Sequence, residues 1–307
     1  MFATAVTSPA EVEAHPIPRS LFGYEVVDFI GEGAGSRIFA AAHPLTKQIY
    51  ALKYVVPRTE KELRFVEQLE AEYEVGRQVK HPGLRRSLEL KVSRSLFRKV
   101  TEAGLVMELF GGVSLEARLP KSLTHLVEVF IQTADALHSL HSLGYVHCDL
   151  KPNNILVDAA RHAKVIDLGQ AAKIGTAKSR IQGTPDYIAP EQVKCLPVTV
   201  QTDVFNLGAT MYWSLCGKKL PTLYNIKKTE NSFLVDTAIT TPRDCNDLVP
   251  EQLSNLVMEC VRTNPVRRPA DIAELSRRLE IILHVMRKER GDAQAPANGA
   301  KRNLQVI

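Results

Sequence analysis

The hydrophobic pattern changes its period once along this chain, and that change restricts the folds available to it. Residues 24–30 alternate between apolar and polar side chains and are rich in β-branched and aromatic types, which predicts a strand. Strands are also predicted over residues 38–42 and 49–56, and a buried one over residues 105–109. Residues 60–79 instead have apolar side chains at mostly helical spacing, so one helix is predicted within this β-rich first third.

Helical patterns dominate after the glycine pair Gly111-Gly112. Residues 123–143 form a helical pattern that ends at Gly144, a residue type common at helix ends. Short strands and loops are predicted over residues 145–191, and helices from residue 204 to about 290. A β-rich part followed by a helical part indicates an α+β fold with two lobes, whose boundary is predicted near Gly111.

The size and charge of the chain suit a large soluble domain. Its 307 residues are enough for one large two-lobed domain or two ordinary ones, and 45% of them are hydrophobic while 24% are charged. The net charge is +5, from 39 basic and 34 acidic residues spread along the chain. Such a small excess is weak evidence for binding nucleic acid or a membrane surface.

Cysteine usage and the absence of targeting patterns predict a cytoplasmic protein. The amino terminus lacks a basic segment followed by an apolar core, so no secretory signal is expected. The most apolar helical stretch, residues 279–286, is much too short to cross a bilayer, so no membrane segment is predicted. The five cysteines are an odd number with no C-x-x-C spacing, which favours reduced thiols. They are Cys148, Cys195, Cys216, Cys245 and Cys260.

Both ends of the chain are predicted to lie outside the folded domain. Residues 1–20 contain several prolines and little periodicity, which is typical of a flexible arm. Residues 290–307 are rich in alanine, asparagine and charge and are predicted to be disordered. The folded domain is therefore predicted over residues 21–289. Within it, residues 218–250 match no motif and are interpreted as a loop that docks partners.

A glycine-rich turn joins the first two predicted strands, in the sequence Gly31-Glu-Gly33-Ala-Gly35-Ser36-Arg-Ile38. Glycines in a turn let backbone N–H groups approach phosphate oxygens without interference from a Cβ atom. A flexible hairpin explains the same residues equally well. A dinucleotide-binding loop is disfavoured, because that motif opens a helix and this turn leads into a strand.

Lys53 lies within a hydrophobic predicted strand, in Ala51-Leu-Lys53. A lysine in such a strand usually faces solvent, and a functional one would need an anionic partner to offset its desolvation. The predicted helix that follows offers several glutamates for that contact. They are Glu62, Glu67, Glu70, Glu72 and Glu74.

Two later segments concentrate polar groups beside apolar strands. In the first, Asp149 can accept a hydrogen bond from an attacking hydroxyl, Lys151 can neutralise a phosphoryl group, and the Asn154 carbonyl can ligate Mg²⁺. In the second, Asp167 ends a short apolar strand and precedes Leu-Gly169, where a carboxylate can hold a hard cation. Packing explains the first segment poorly, whereas Asp167 alone would suit a simple turn cap.

Taken in order, these segments resemble the protein kinase family, over residues 21 to about 283. The resemblance rests on order and spacing rather than on any single motif. It implies a bilobal fold, with an N-terminal lobe over about 21–110 and a C-terminal lobe over about 111–289. It also implies an enzyme that transfers the γ-phosphate of MgATP to a protein hydroxyl. The matching motifs are Gly31-x-Gly33, Ala51-x-Lys53, His147-Cys-Asp149-x-Lys151-x-x-Asn154, Asp167-Leu-Gly169, Ala189-Pro-Glu191, and Asp203 to Gly208.

The resemblance implies a role for each matching position around the phosphates. Lys53 would contact the α- and β-phosphates and pair with Glu72. Asp149 would orient the substrate hydroxyl and accept its proton, while Lys151 would neutralise the γ-phosphate. The metal ligands for Mg²⁺, or for Mn²⁺ as an alternative, would be Asn154 and Asp167.

The resemblance also implies the residues around the nucleotide base and one structural contact. Ile38, Ala51 and Leu156 would enclose the adenine, with Met107 as the gatekeeper and Glu108 to Phe110 as the hinge. Glu191 would form a structural ion pair with Arg268. The glycine-rich turn would cover the phosphates through Gly31, Gly33, Gly35 and Ser36.

Two features indicate serine and threonine rather than tyrosine as the acceptor. Lys151, two residues after the predicted catalytic aspartate, is typical of the serine/threonine branch. The segment Gly183 to Glu191 is similar to that branch's substrate-binding loop, with Thr184 near Asp149. The Asp-Leu-Gly motif and compact activation segment are similar to bacterial Hanks-type kinases. Expected partners are ATP and proteins bearing serine or threonine, and no nucleic acid.

Three residues depart from the family pattern. Cys148 replaces the arginine that receives an activation-loop phosphate, which predicts little control by such phosphorylation; alanine at Ser179 or Thr176 should leave activity nearly intact. Ser36 occupies the third glycine position, with Gly35 one place earlier, which predicts a looser grip on the phosphates. Leu168 replaces a phenylalanine and should still pack under the helix.

Three other classes of protein compete with an active protein kinase. A pseudokinase scaffold would lack the lysine, the catalytic aspartate or the metal-binding aspartate, and all three are present. A small-molecule kinase of related fold is disfavoured by the segment from Gly183 to Glu191, where peptide substrates dock in protein kinases. A nucleic-acid-binding protein is disfavoured by the modest charge and the lack of a basic, aromatic surface.

Overall fold

The computed structural model describes residues 17–33, 35–225 and 239–294. The predictions made for the rest of the amino-terminal arm, for Ala34 in the glycine-rich turn, for residues 226–238 of the unassigned segment and for residues 295–307 of the tail lie outside the described residues.

A six-stranded antiparallel sheet forms the first part of the domain, with the strands in the order β1-β2-β3-β4-β6-β5. The strands predicted at 24–30, 38–42 and 49–56 are confirmed, and β6 begins earlier and ends earlier than the predicted strand at 105–109. The alternating strand pattern buries Phe39, Leu52 and Val106 on one face, and these pack together. The strands are β1 (Ser20–Leu21), β2 (Tyr24–Gly33), β3 (Ser36–Ala42), β4 (Ile49–Val55), β5 (Ser87–Arg94) and β6 (Val100–Met107).

Helix α1 (Leu63–Gly76) packs against the other face of this sheet. Its helical spacing brings Val66 and Leu69 to one side, where they join Val55 and Leu105 in a second hydrophobic cluster. The helix was predicted over residues 60–79, and it is preceded by a 3₁₀ turn and ends before the turn that contains His81. The same face of α1 carries buried Glu72 towards the sheet and the site described below.

The second part of the domain is helical, which confirms the α+β class. In α2, Ser122 caps the amino terminus by accepting a hydrogen bond from the backbone N–H of His125, and Gly144, with φ of 83°, follows the carboxyl end. Helix α4 is buried on nearly all sides and lies at the centre of the largest hydrophobic cluster. The helices are α2 (Leu123–Ser142), α3 (Pro190–Val193), α4 (Val200–Cys216), α5 (Pro242–Cys245), α6 (Glu251–Cys260) and α7 (Ile272–Gln294).

Short strands lie between the large sheet and the helices and carry the loops of the site. They pair in a three-stranded sheet of order β10-β9-β7 and in a pair formed by β11 and β8. A parallel bridge between Leu84 and Val165 connects the first part of the chain to β10. The loops before β9 and after β10 therefore face the large sheet. The strands are β7 (Val113–Ser114), β8 (Tyr145–Val146), β9 (Ile155–Val157), β10 (Ala163–Val165) and β11 (Ala172–Lys173).

Candidate active site

Lys53 on β4 lies between two carboxylates that come from different elements. Its Nζ atom is 2.7 Å from Oε2 of Glu72 on α1 and 3.0 Å from Oδ1 of Asp167, which follows β10. Glu72 is the one glutamate, of those offered by the predicted helix, that faces inward. The three charged groups therefore join the sheet, the helix and the loop after β10 at a single point.

This arrangement keeps Lys53 and Asp167 charged. Burial alone would lower the pKa of Lys53, but the Asp167 and Glu72 carboxylates outweigh it and the net pKa lies above its usual range. Burial alone would raise the pKa of Asp167, but the nearby Lys53, Arg85 and His147 outweigh it and the net pKa lies below its usual range. Asp167 is therefore an anion at neutral pH.

Asp149, Lys151 and Thr184 form a closed triangle of hydrogen bonds. Lys151 Nζ donates to Asp149 Oδ2 at 3.1 Å and to Thr184 Oγ1 at 2.8 Å, and the Thr184 hydroxyl donates to Asp149 Oδ1 at 2.7 Å. Thr184 comes from the segment before α3, whereas the other two belong to the loop before β9. The structure thus brings together three residues predicted from two separate segments.

Asp203 at the start of α4 holds the loop that carries Asp149. Its buried carboxylate accepts hydrogen bonds from the backbone N–H groups of His147 at 2.8 Å and Cys148 at 2.9 Å, and Nε2 of His141 lies 2.8 Å from it. Cys148 has a φ of 64°, in the left-handed region where a residue with a Cβ atom is strained. The two hydrogen bonds to Asp203 offset that strain and fix the backbone before Asp149.

Asn154 and Asp167 together fit a divalent cation of the hard type. Nδ2 of Asn154 donates to the backbone carbonyl of Asp149 at 2.8 Å, which leaves its Oδ1 atom without a donor in the described part of the chain. Asp167 supplies an ionised carboxylate, and both residues line the same cavity. Amide and carboxylate oxygens are the ligands that Mg²⁺ prefers in proteins.

A cavity of about 700 Å³ lies between the sheet and the helical part, and most of the predicted phosphate-binding residues line it. Gly31, Gly33 and Ser36 line it from the large sheet. Gly35 instead lies against the ring of Phe65 on α1. A Cβ atom added there would come within 2.4 Å of that ring, and its φ is 74°. This position therefore requires glycine. Other predicted residues along this cavity are Ile38, Lys53, Asp149, Lys151, Asn154 and Asp167.

Of the residues predicted around the adenine, only Ile38 lines this cavity; the others lie near one end of the sheet. Ala51 and Met107 pair across β4 and β6, and both are buried. Glu108 of the predicted hinge forms an ion pair of 2.5 Å with buried Lys164 on β10, whose ammonium also lies 5.1 Å from the ring centre of Phe110. Leu156 lies on β9, where it pairs with Ser114 and Lys164.

The predicted ion pair between Glu191 and Arg268 is confirmed. The guanidinium donates to both carboxylate oxygens, at 2.8 and 2.9 Å, and its side chain is 0% exposed. Beside it, buried Gln192 donates through Nε2 to the carbonyl oxygens of Cys148 at 2.7 Å and Gln182 at 3.2 Å. Gln192 therefore ties α3 to the loop of Asp149 and to the segment before Thr184.

Sequence reasoning missed several residues that the structure places at or beside the site. Arg85 lines the cavity, Gln192 bridges two loops, Lys164 contacts the hinge, and Asp203 holds the backbone before Asp149. Only Asp203 lay in a quoted motif. A polar residue at the start of an otherwise apolar helical stretch was the one signal that could have identified its role.

Comparison with known proteins explains this geometry. A family described as the protein kinase domain matches residues 24–278. The chain belongs to the protein kinase family. Members of this family use ATP and a divalent metal.

Three relatives of this protein kinase are named serine/threonine kinases. TIO from Arabidopsis thaliana is 32% identical over 194 residues, covering 62% of this chain and 14% of TIO. The DNA damage-responsive kinase RqkA from Deinococcus radiodurans is 28% identical over 265 residues, covering 82% and 38%. PknA from Mycobacterium tuberculosis is 30% identical over 204 residues, covering 64% and 47%. The chain thus matches less than half the length of these relatives.

All five cysteines of this kinase are free thiols. Within residues 17–33, 35–225 and 239–294, no helix is both long and apolar enough to cross a membrane.

Proposed function

We propose that this chain is a serine/threonine protein kinase that transfers the γ-phosphate of MgATP to serine or threonine hydroxyls of other proteins. The observation that carries the proposal is that one cavity is lined both by the Lys53–Asp167 ion pair and by Asp149 and Lys151, which form a hydrogen-bonded triangle with Thr184. Phosphoryl transfer requires cations that stabilise the phosphate charge and a carboxylate that accepts the proton of the attacking hydroxyl, since its catalysis is mostly positioning and charge stabilisation.

The nucleotide phosphates would be held by Lys53 and the glycine-rich turn. The Lys53 ammonium has three donors, and two of them are directed to Glu72 and Asp167. Its position is thereby set before nucleotide arrives. Gly31 and Gly33 line the same cavity and have no Cβ atom that would keep phosphates away from their backbone N–H groups. The Ile38, Ala51, Met107 and Leu156 side chains and the hinge at Glu108 to Phe110 are proposed to receive the adenine.

Asn154 and Asp167 would hold the metal ion. When bound, Mg²⁺ supplies positive charge that neutralises the phosphates and the developing charge on the leaving group. The ionised state of Asp167 and the uncommitted oxygen of Asn154 support this assignment. Mn²⁺ accepts similar oxygen ligands and is proposed as an alternative.

Asp149 would orient the acceptor hydroxyl and receive its proton. The hydroxyl oxygen of the substrate serine or threonine forms a bond to the γ-phosphorus, while the bond from that phosphorus to the bridging oxygen breaks and ADP leaves. The hydroxyl proton passes to the Asp149 carboxylate. Lys151, 3.1 Å from that carboxylate, would neutralise the transferred phosphoryl group.

Thr184 supports serine and threonine as the acceptors. Its hydroxyl bridges Lys151 and Asp149 and so brings the segment before α3 beside the proposed base. A peptide that docks on that segment would present a short aliphatic hydroxyl close to Asp149. The names of TIO, RqkA and PknA agree with this choice of acceptor.

The activation segment would hold this arrangement without being phosphorylated. Cys148 is packed in an apolar cluster with Val146 and Val198, and its thiol carries no positive charge that could pair with a phosphate. The segment is tied by other contacts: Val198 N–H donates to the Thr176 carbonyl at 2.9 Å, and Lys178 Nζ donates to the Gln170 carbonyl at 2.7 Å.

A cytoplasmic location is proposed from the cysteines. All five are free, and Cys148 and Cys260 are buried. Free thiols in such number suit a compartment that keeps them reduced.

The experiment that tests the proposal is transfer of labelled γ-phosphate to a generic basic protein, followed by acid hydrolysis of the product. The expected result is phosphoserine and phosphothreonine without phosphotyrosine, and complete loss of labelling when EDTA removes the metal. Labelling of tyrosine would refute the acceptor assignment. Transfer only to small alcohols, with none to protein, would indicate a small-molecule kinase instead.

A further inference from the structure

Arg85 is a buried cation that has no part in the mechanism proposed so far. It lies between α1 and β5, its side chain is 8% exposed, and it lines the cavity that contains Lys53 and Asp167. Its Nε atom is buried and has no acceptor, and Nη2 lies 3.8 Å from Oε1 of Glu72, beyond hydrogen-bond distance. Within the described residues the guanidinium makes no hydrogen bond. Burial of such a group is costly, so a specific use for its charge is expected.

The backbone fixes the position of Arg85 from two sides. Its N–H donates to the carbonyl of Val165 on β10 at 3.0 Å, and β10 leads directly to Asp167. On the other side, the hydroxyl of Ser87 donates to the backbone carbonyl of Glu72 at 3.3 Å. Arg85 is therefore anchored both to the strand that carries one carboxylate and to the helix that carries the other.

The charges around Lys53 balance only when Arg85 is counted. Glu72 presents Oε2 to Lys53 and Oε1 towards Arg85, while Asp167 contacts Lys53. Two cations thus face two carboxylates. Without Arg85, Lys53 would be alone between two anions, and incoming phosphates would meet an excess negative charge.

We propose that Arg85 is a positioning residue of the phosphotransfer site, whose charge faces the second oxygen of Glu72 and balances that carboxylate so that Lys53 remains available to the phosphates. This inference rests on the proposed kinase function. It assigns Arg85 no contact with the substrate. Arginine suits the task because its planar fork addresses a carboxylate while its charge persists when buried.

The first test measures nucleotide binding without metal. The dissociation constant of ADP in EDTA is compared among wild type, Arg85→Met, Arg85→Lys and Arg86→Met; Arg86 is the exposed neighbour, and its change removes the same charge outside the cavity. Arg85→Met is expected to weaken ADP binding about tenfold, because a nearby partly buried charge is lost. Arg85→Lys should restore binding to within about threefold, and Arg86→Met should change it by less than about twofold.

The response to Mg²⁺ separates this role from a merely structural one. Because the site becomes more negative, Arg85→Met should lower the free Mg²⁺ needed for half-maximal transfer while it weakens ADP binding. A structural defect would impair both and would not be rescued by lysine. Impairment of both properties without rescue by Arg85→Lys would overturn the inference. So would an Arg85→Met variant that binds ADP as tightly as Arg86→Met does.

A second test uses no nucleotide. Urea unfolding of wild type, Arg85→Met, Glu72→Gln and the double variant forms a double-mutant cycle. The two changes are expected to be coupled by about fivefold or more in the unfolding equilibrium constant. Strictly additive effects of the two changes on the free energy of unfolding would contradict the proposed interaction between Arg85 and Glu72. Since unfolding requires no kinase activity, this cycle judges Arg85 even if the wild-type chain transfers no phosphate, which is the result that would refute the proposed function.

Discussion

The buried Glu191–Arg268 pair makes the strongest stability prediction for this domain. Arg268 has a fully buried side chain that donates to both oxygens of Glu191 and to the carbonyls of Gln201 at 2.9 Å and Arg262 at 2.8 Å. Burial raises the pKa of Glu191, and the hydrogen bonds and charge of Arg268 outweigh it, so the net pKa is lowered. Arg268→Met would therefore leave an ionised carboxylate buried without its cation.

The expected cost of Arg268→Met is about 3–5 kcal/mol, since breaking one side of a buried pair leaves an uncompensated charge. For a domain of this size that corresponds to a melting temperature lower by about 10 °C. The assay is urea unfolding at neutral pH, followed by circular dichroism, with calorimetry as a second measurement.

The chain offers a matched control in a second arginine–glutamate pair. Arg278 donates to Glu259 at 2.6 and 2.9 Å, and the two side chains are 35% and 42% exposed. Arg278→Met should cost less than about 1 kcal/mol, because exposed pairs contribute little. Equal losses for Arg268→Met and Arg278→Met would refute the reasoning that burial decides the effect.

Three further predictions concern the glycine-rich turn, the activation segment and pH. Gly35→Ala should weaken ATP binding and destabilise the fold by about 1–2 kcal/mol, because of its positive φ and its contact with Phe65; unchanged binding would contradict this. Thr176→Ala and Ser179→Ala should each keep transfer rates within about threefold of wild type, whereas a tenfold loss would show dependence on activation-loop phosphate. Burial raises and His141 lowers the pKa of Asp203, with a net lowering. Its contribution to stability is therefore present above the unfolded-state pKa of about 4 and is lost progressively as the pH falls below that value through the lowered pKa of the folded state. An Asp203→Asn variant should show a shallower acid loss in urea unfolding, and an equally steep one would contradict this.

The local pattern predicted those elements whose side chains alternate or repeat clearly. The predicted helix at 123–143 matches α2, because Ser122 and Gly144 mark its two ends by chemistry that the sequence displays. Strand β5 is the exception, since Leu88, Leu90 and Val92 alternate with polar side chains along it and yet the strand was missed. Its pairing with β6 places it in the sheet.

The boundaries of β6 show where local information stops. The strand was predicted at 105–109 and is observed over Val100–Met107. Its polar start contains Thr101 and Gly104, which weaken the sequence pattern, and it is held in the sheet by β4 and β5 on its two sides. At the other end, Glu108 leaves the sheet to pair with Lys164, a contact that no local pattern contains.

The candidate site was predictable in residue types but not in its supporting contacts. Lys53, Asp149 and Asp167 stand in motifs whose order and spacing are informative, and the choice of Glu72 followed from its offset to the turn after α1. Arg85 stands beside Arg86 in the sequence, and such a pair is usually interpreted as solvated. Its burial depends on β10, which lies far along the chain, so only the fold brings it to Glu72.

The role of Asp149 in phosphoryl transfer from MgATP is tested by one paired measurement on wild type and Asp149→Asn. Transfer of labelled γ-phosphate and the dissociation constant of MgATP are determined on the same preparations. Transfer is expected to fall by about 10²–10⁴-fold in Asp149→Asn while MgATP binding changes by less than about threefold, because Asp149 is proposed to contact the hydroxyl and Lys53 and Asp167 the nucleotide. Equal transfer by the two proteins, or no transfer by wild type despite tight MgATP binding, would contradict this role of Asp149.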